Sequence, residues 1–214
     1  MNNILLKVEN SYLKQSFSKG KMIGVPSLST SPLENKTCQA LSKIESNICN
    51  SCFSIRSLKF YGDNFKEFLK NNGDILSKPL TNDQIKAIKV HSIYFRFESH
   101  GDLLNYDHLD NLVKIAKNNK GTKFALWTKK INLAEFYFSC IKKPKNLQLV
   151  YSSVKYNKSL DINKYKHPDK IFTVYDKKYI KNNSTKINCG SRSCFDCALC
   201  YNKNKIKYIN EIKK

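Results

Sequence analysis

Ser92-Ile93-Tyr94-Phe95-Arg96-Phe97-Glu98-Ser99-His100-Gly101-Asp102 is the stretch on which the reading of the fold turns. Its first seven residues are rich in aromatic and β-branched side chains, the composition of a strand. The glycine and acid that follow mark a turn. The same pattern then repeats. Asp107 reads as the cap of a helix running to about Asn118, with Leu109, Leu112, Val113 and Ala116 on one apolar face. Lys123-Phe-Ala-Leu-Trp127 is the next strand, and Asn132 to Phe138 the next helix. Leu147-Gln-Leu-Val-Tyr151 and Lys170-Ile-Phe-Thr-Val-Tyr175 read as two further strands. Alternating strands and helices imply right-handed crossovers and a parallel sheet. The pattern predicts one α/β domain over residues 1–214, its parallel sheet forming part of a TIM-like barrel.

Residues 1–53 read as a lead-in, and up to residue 37 they are extended and rich in turns, with Gly20, Gly24, Pro26 and Pro32. A helix is expected over 54–71, ending near Asn72-Gly73. Thr81-Asn-Asp-Gln84 has the form of a capping box opening a short helix to about Val90. The body spans 54–180. Residues 181–214 form a cysteine-rich clasp after the last strands, closed by a lysine-rich helix near 203–213.

Seven of the eight cysteines fall into two sets: Cys38, Cys49 and Cys52 near the front, and Cys189, Cys194, Cys197 and Cys200 in the tail. Cysteines with two residues between them turn both sulfurs toward one centre, as zinc and iron–sulfur sites require. Met1-Asn-Asn-Ile-Leu-Leu-Lys7 has too short an apolar run for a secretory leader, so reduced thiols in the cytoplasm are expected and disulfides are not. Four tail ligands make a closed site, whereas three front ligands leave one position open, as catalytic centres do. Cys189 is the ambiguous member, with four residues between it and Cys194, and serves either set. Cys140 stands alone in an apolar stretch and reads as a small core residue.

The 214 residues carry 38 Lys+Arg against 17 Asp+Glu, a net charge of +21. This charge attracts polyanions such as nucleic acid. Compositional drift in a chain rich in Lys, Asn and Ile accounts for it equally well. No apolar run approaches membrane-spanning length. Only three arginines occur, Arg56, Arg96 and Arg192, two of them beside cysteines. Where lysine is the default cation, such positions suggest a need for the planar guanidinium fork.

Ligand-binding groups of parallel α/β folds collect at the carboxyl ends of strands. Arg96, Glu98, His100 and Asp102 are therefore the candidate catalytic groups, and Gly101 permits close approach of backbone. Thr128 with Lys129, and Ser152 with Ser153, mark two further strand ends and are candidate cofactor contacts. The competing reading of each is a polar turn.

These features together resemble a family. In order, they are Gly24-Val-Pro-Ser-Leu-Ser-Thr30, Thr37-Cys38, Cys49-Asn-Ser-Cys52-Phe53, Phe95-Arg-Phe-Glu-Ser-His-Gly-Asp102, Phe124-Ala-Leu-Trp-Thr-Lys129 and Cys194-Phe-Asp-Cys197-Ala-Leu-Cys200-Tyr201. Over residues 15–201 the chain resembles the phage and mobile-element family called gene product 88. The resemblance implies an iron–sulfur protein of a bacterial host cell, with [4Fe-4S] clusters, distantly similar to radical S-adenosylmethionine barrels. Gly101 and Asp102 would then contact S-adenosylmethionine. The radical signature spaces its cysteines three and then two residues apart; here ten residues separate Cys38 from Cys49, and the aromatic Phe53 follows the last cysteine.

The leading expectation is an iron–sulfur α/β protein, with radical-type chemistry on an unidentified small-molecule or macromolecular substrate. The alternative is a non-enzymatic, zinc-stapled nucleic-acid binder. A cluster-bearing sensor is a third. No phosphate-binding glycine loop, two-histidine helical zinc site or Ser/His/Asp set stands out, which leaves hydrolases and nucleoside triphosphatases without support.

Overall fold

Six parallel strands lie side by side in the order in which the chain makes them. The computed structural model describes residues 3–17, 20–190 and 192–213. Met1 and Asn2 of the opening segment, Ser18 and Lys19 of the lead-in, Ser191 of the tail motif and Lys214 lie outside the described residues.

The chain begins with an antiparallel hairpin, β1 (Ile4–Val8) and β2 (Ser11–Lys14), followed by a short strand, β3 (Ser27–Leu28). Four helices come next: α1 (Lys36–Ser42), α2 (Phe53–Leu58), α3 (Asp63–Leu76) and α4 (Asn82–Ala87). The alternating body is β4 (Tyr94–Phe97), α5 (Tyr106–Asn118), β5 (Lys123–Thr128), α6 (Ile131–Cys140), β6 (Leu147–Ser152) and β7 (Lys170–Tyr175). The chain closes with α7 (Lys177–Asn183), α8 (Cys194–Cys197) and β8 (Tyr208–Ile212).

Because strand order follows chain order, successive right-handed crossovers step the same way and stack their helices on one face. Phe95, Phe97, Phe124, Leu126 and Leu149 point to that face and pack against Leu109, Leu112, Ala116 and Tyr137 of α5 and α6. Alternate residues face the other side. There Val25, Ala125 and Tyr201 form one small core, and Val150, Phe172 and Ile209 another. The tail therefore does the work on the second face that helices do on the first.

The sheet is open, with β3 and β8 at its edges, and does not close into a barrel. A TIM barrel needs eight strands to close. Here one edge strand has two residues and is bridged by Ser16, while Cys189 bridges to Glu211 on the other. Among the described residues no helix is long and apolar enough to cross a membrane.

Several local expectations change. The helix expected over 54–71 is two helices, because the chain turns extended at Gly62, and the second runs on to Leu76. Asn72 does not end it. Its buried amide donates to the carbonyls of Lys14 (2.8 Å) and Ser29 (2.9 Å) and accepts from Lys14 N–H (2.9 Å), fastening hairpin and β3 to α3. The Thr81–Gln84 capping box is present, but α4 stops at Ala87, short of Val90, as Ile88 turns extended. Asn105, not Asp107, caps α5. Cys140 is exposed at the end of α6 rather than buried.

The largest change is at the end of the chain. Residues 203–213 hold no helix: Tyr208-Ile-Asn-Glu-Ile212 joins β7 as a sixth parallel strand. The cysteine-rich tail therefore precedes the last strand instead of following it. Lysines dominate the flanks, but the alternation of Tyr208, Asn210 and Ile212 about buried Ile209 suits an edge strand.

Candidate functional site

The front thiols reach the sheet through three anchors. Asn35 caps α1 with its side-chain oxygen accepting from Thr37 N–H (3.0 Å) and Cys38 N–H (3.3 Å). Its amide nitrogen donates to the carbonyls of Asp102 (2.8 Å) and Leu103 (3.2 Å), clipping the start of α1 to the loop after β4. Cys49 lies in a 3₁₀ turn, Ile48–Ser51, whose Ile48 N–H donates to Val154 C=O (2.8 Å) just beyond β6. Cys52 precedes α2, and Ser54 of that helix donates to Ser99 C=O (3.5 Å). Cys38, Cys49 and Cys52 are thus brought to the carboxyl ends of β4, β5 and β6. Burial pushes the Cys38 and Cys49 thiols up, while the ammonium of Lys129 opposes this. Cys49 acts on Cys38, and Cys52 on Cys49, so the three form one electrostatic group.

Sequence reading missed Asn35, although an asparagine three residues before Cys38 is a legible cap signal. Asn35→Ala removes the cap and strands two buried carbonyls, so it is expected to cost about 2–4 kcal/mol, read from the urea unfolding midpoint.

The carboxylates after β4 are occupied by their own chain. Glu98 is buried, with φ +56°, and accepts from Thr30 Oγ1 (3.0 Å) and Thr30 N–H (3.3 Å). His108 Nε2 lies 3.4 Å from its other oxygen, and His108 Nδ1 accepts from Leu104 N–H (3.1 Å). Asp102 accepts from Thr128 Oγ1 (2.6 Å), Leu103 N–H (2.8 Å) and Lys129 N–H (2.8 Å). It therefore braces the end of β4 to the end of β5. Gly101, at φ +74°, meets Thr30, so the close approach it permits is to its own chain. Thr128 also accepts from Lys130 N–H (2.9 Å), and Ser153 bonds the carbonyls of Lys155 and Lys158. Ser152 is buried. Of the candidate cofactor contacts, Lys129 and Asp102 both bear on the front thiols by their charge, Lys129 favouring the thiolates and Asp102 opposing them.

Arg96, between Phe95 and Phe97, points to the second face of the sheet, and its charge still reaches Glu98 and His100. Its guanidinium stacks on Trp127 (4.2 Å to the ring centroid) on the second face, and its charge acts on the Cys194 and Cys200 thiols. His100 stays at the strand end, edge-on to Phe65 (5.6 Å between ring centroids).

The tail thiols Cys189, Cys194, Cys197 and Cys200 line one cavity of about 150 Å³ with Lys21 and Tyr201. Burial raises Cys189, Cys194 and Cys200, and each feels the charges of other members of this set. The structure thus groups Cys189 with the tail. Lys21 Nζ donates to Cys189 Sγ (3.1 Å) and to Glu211 Oε1 (3.1 Å), tying the lead-in to both tail and β8. Buried Lys170 donates to Asn204 Oδ1 (2.9 Å) and Ile206 C=O (3.0 Å), holding the segment that leads into β8. Neither lysine was legible among 38 cationic residues.

The sequence model of the gene product 88 family matches residues 4–205. The chain belongs to that family. No curated protein and no solved structure matches it. The matched span takes in both thiol sets and the loop after β4.

Among the described residues, no three His, Cys, Asp or Glu side chains converge on a position for a single metal ion. The four tail sulfurs stand around one cavity.

The buried titrating groups set the pH dependence of stability. Burial lowers His100 to about 4 and His108 to about 3, with Arg96 and Lys130 adding to the effect respectively. The unfolded chain protonates both histidines as pH falls through 6.5, while the folded chain does not, so acid favours unfolding. Glu98 works the other way. Burial and Asp102 raise it, so its contribution is complete below 4.5 and is lost as pH rises through its folded value. Glu98 therefore offsets at most half of the effect of the two histidines as pH falls toward 4.5. Stability is expected to fall as pH drops from about 6 to 5, by about 1.4 kcal/mol per pH unit or more, measured as urea midpoints.

Proposed function

We propose that this gene product 88 chain is an iron–sulfur protein with two unlike thiol centres. Cys38, Cys49 and Cys52 hold the open one, where chemistry occurs. Cys189, Cys194, Cys197 and Cys200 hold the closed one, which fastens the tail to the second face of the sheet. The observation that carries this reading is placement: the trio stands at the carboxyl ends of parallel strands, where such folds bind ligands, and the quartet lines a cavity. A four-iron, four-sulfur centre on three thiolates would supply electron transfer at its free iron, to a ligand such as S-adenosylmethionine. Asn35 orients Cys38, and Asp102 holds the β5 end that carries Lys129. Lys129 places a positive charge beside thiols that must ionise to bind iron.

Protein purified without oxygen is expected to contain iron and labile sulfide in comparable amounts. Cys49→Ser should remove the front share and abolish cleavage of S-adenosylmethionine by the reduced protein, leaving the tail share in place. Cys197→Ser should do the converse for iron. Stoichiometric zinc without iron or sulfide overturns the proposal.

A further inference from the structure

We propose that the outward side of α2, at the rim of the front thiols, binds single-stranded nucleic acid. The inference does not depend on which metal those thiols hold. Phe53 and Phe60 are 67 % and 89 % exposed, and Tyr61 is 47 % exposed. Phe53 and Arg56 lie one turn apart on α2 and share a side, buried Leu58 anchors the opposite side, and Phe60 and Tyr61 follow in the turn that ends the helix. Arg56 and Lys59 are exposed between the rings. No acidic residue occurs from Ser46 to Gly62, and the next, Asp63, is paired with Lys66 (2.9 Å). In a chain of net charge +21, this local absence of carboxylates makes the face complementary to a polyanion.

The exposed rings specify which polyanion. Large aromatics standing in water beside cations match a strand that offers both unstacked bases and phosphates. A duplex keeps its bases stacked and presents only their edges. The face also connects to the strand end, since Tyr61 packs on Phe65 (4.8 Å) and Phe65 on His100 (5.6 Å). A strand lying on α2 would therefore pass the mouth of the front site.

The test uses the full chain, purified without oxygen, and the fluorescence anisotropy of a labelled oligothymidine of roughly 12 nucleotides. Phe53→Ala with Phe60→Ala is expected to weaken binding by roughly 100-fold, about tenfold per ring, with the salt dependence unchanged. Arg56→Ala with Lys59→Ala should reduce the slope of log K against log salt by about 1.4. Lys117→Ala with Lys120→Ala, exposed at the opposite end of the strands, should leave affinity within about twofold. Circular dichroism confirms folding, and iron and sulfide content of the same samples reads the metal assignment separately. Wild-type affinity in the double phenylalanine variant, equal losses from both cation pairs, or equal binding of duplex or polyglutamate each overturns the proposal.

Discussion

Gly101→Ala is expected to destabilise the protein by about 2–5 kcal/mol. A Cβ there would stand 2.6 Å from Thr30 O, 2.7 Å from Thr30 Oγ1 and 2.9 Å from Glu98 Oε2, at a φ of +74°. The left-handed backbone alone costs about 1–2 kcal/mol with a side chain present, and overpacking adds about 1–3. Relief is blocked because Thr30 is buried and bound to Glu98, and two of the three obstacles are backbone or β-branched side chain. Gly121→Ala, which meets nothing within 4 Å, serves as the control and should stay within about 0.5 kcal/mol. Urea unfolding of both variants measures the difference. A Gly101→Ala protein as stable as the control would refute the close packing of β3 against the loop after β4.

Asp102→Ala is expected to cost about 3–5 kcal/mol, because three donors lose their acceptor in a buried site. Asp102 is 4 % exposed and takes hydrogen bonds from Thr128, Leu103 and Lys129. Asp102→Asn should cost about half as much: it keeps one acceptor oxygen but turns an amide N–H₂ toward another donor. Under the iron–sulfur proposal, Asp102→Ala should also lose front-site iron while retaining tail iron, since the side chain braces the loop whose backbone carbonyl holds Asn35 and the Cys38 helix. Equal stability of all three proteins would show that the brace carries no weight.

Both substitutions fall in a segment that sequence reading marked as chemical. The strand, the turn and the special character of Gly101 were legible because periodicity and glycine are local signals. The roles were not. Glu98 and Asp102 look like free acids at a strand end, and only long-range partners, Thr30 for one and Thr128 with Lys129 for the other, turn them into internal fasteners. His108 reads as a polar residue on a helix, yet it is buried against Glu98. The two thiol sets were legible from spacing alone. The assignment of Cys189 was not, since it depends on Lys21 and β8, 168 and 22 residues away.

The sequence by itself determined the α/β class, the central strands and their crossovers, the two thiol sets and the excess of positive charge. Each follows from composition or short-range periodicity, which the chain carries wherever it goes. The tertiary structure alone decided that the sheet stays open, that β3 and β8 complete it, and that the tail covers its second face. An edge strand is made by its neighbour. The two residues of β3 and the five of β8 have too little periodicity to declare themselves, and they extend because β4 and β7 offer unpaired backbone groups to bond.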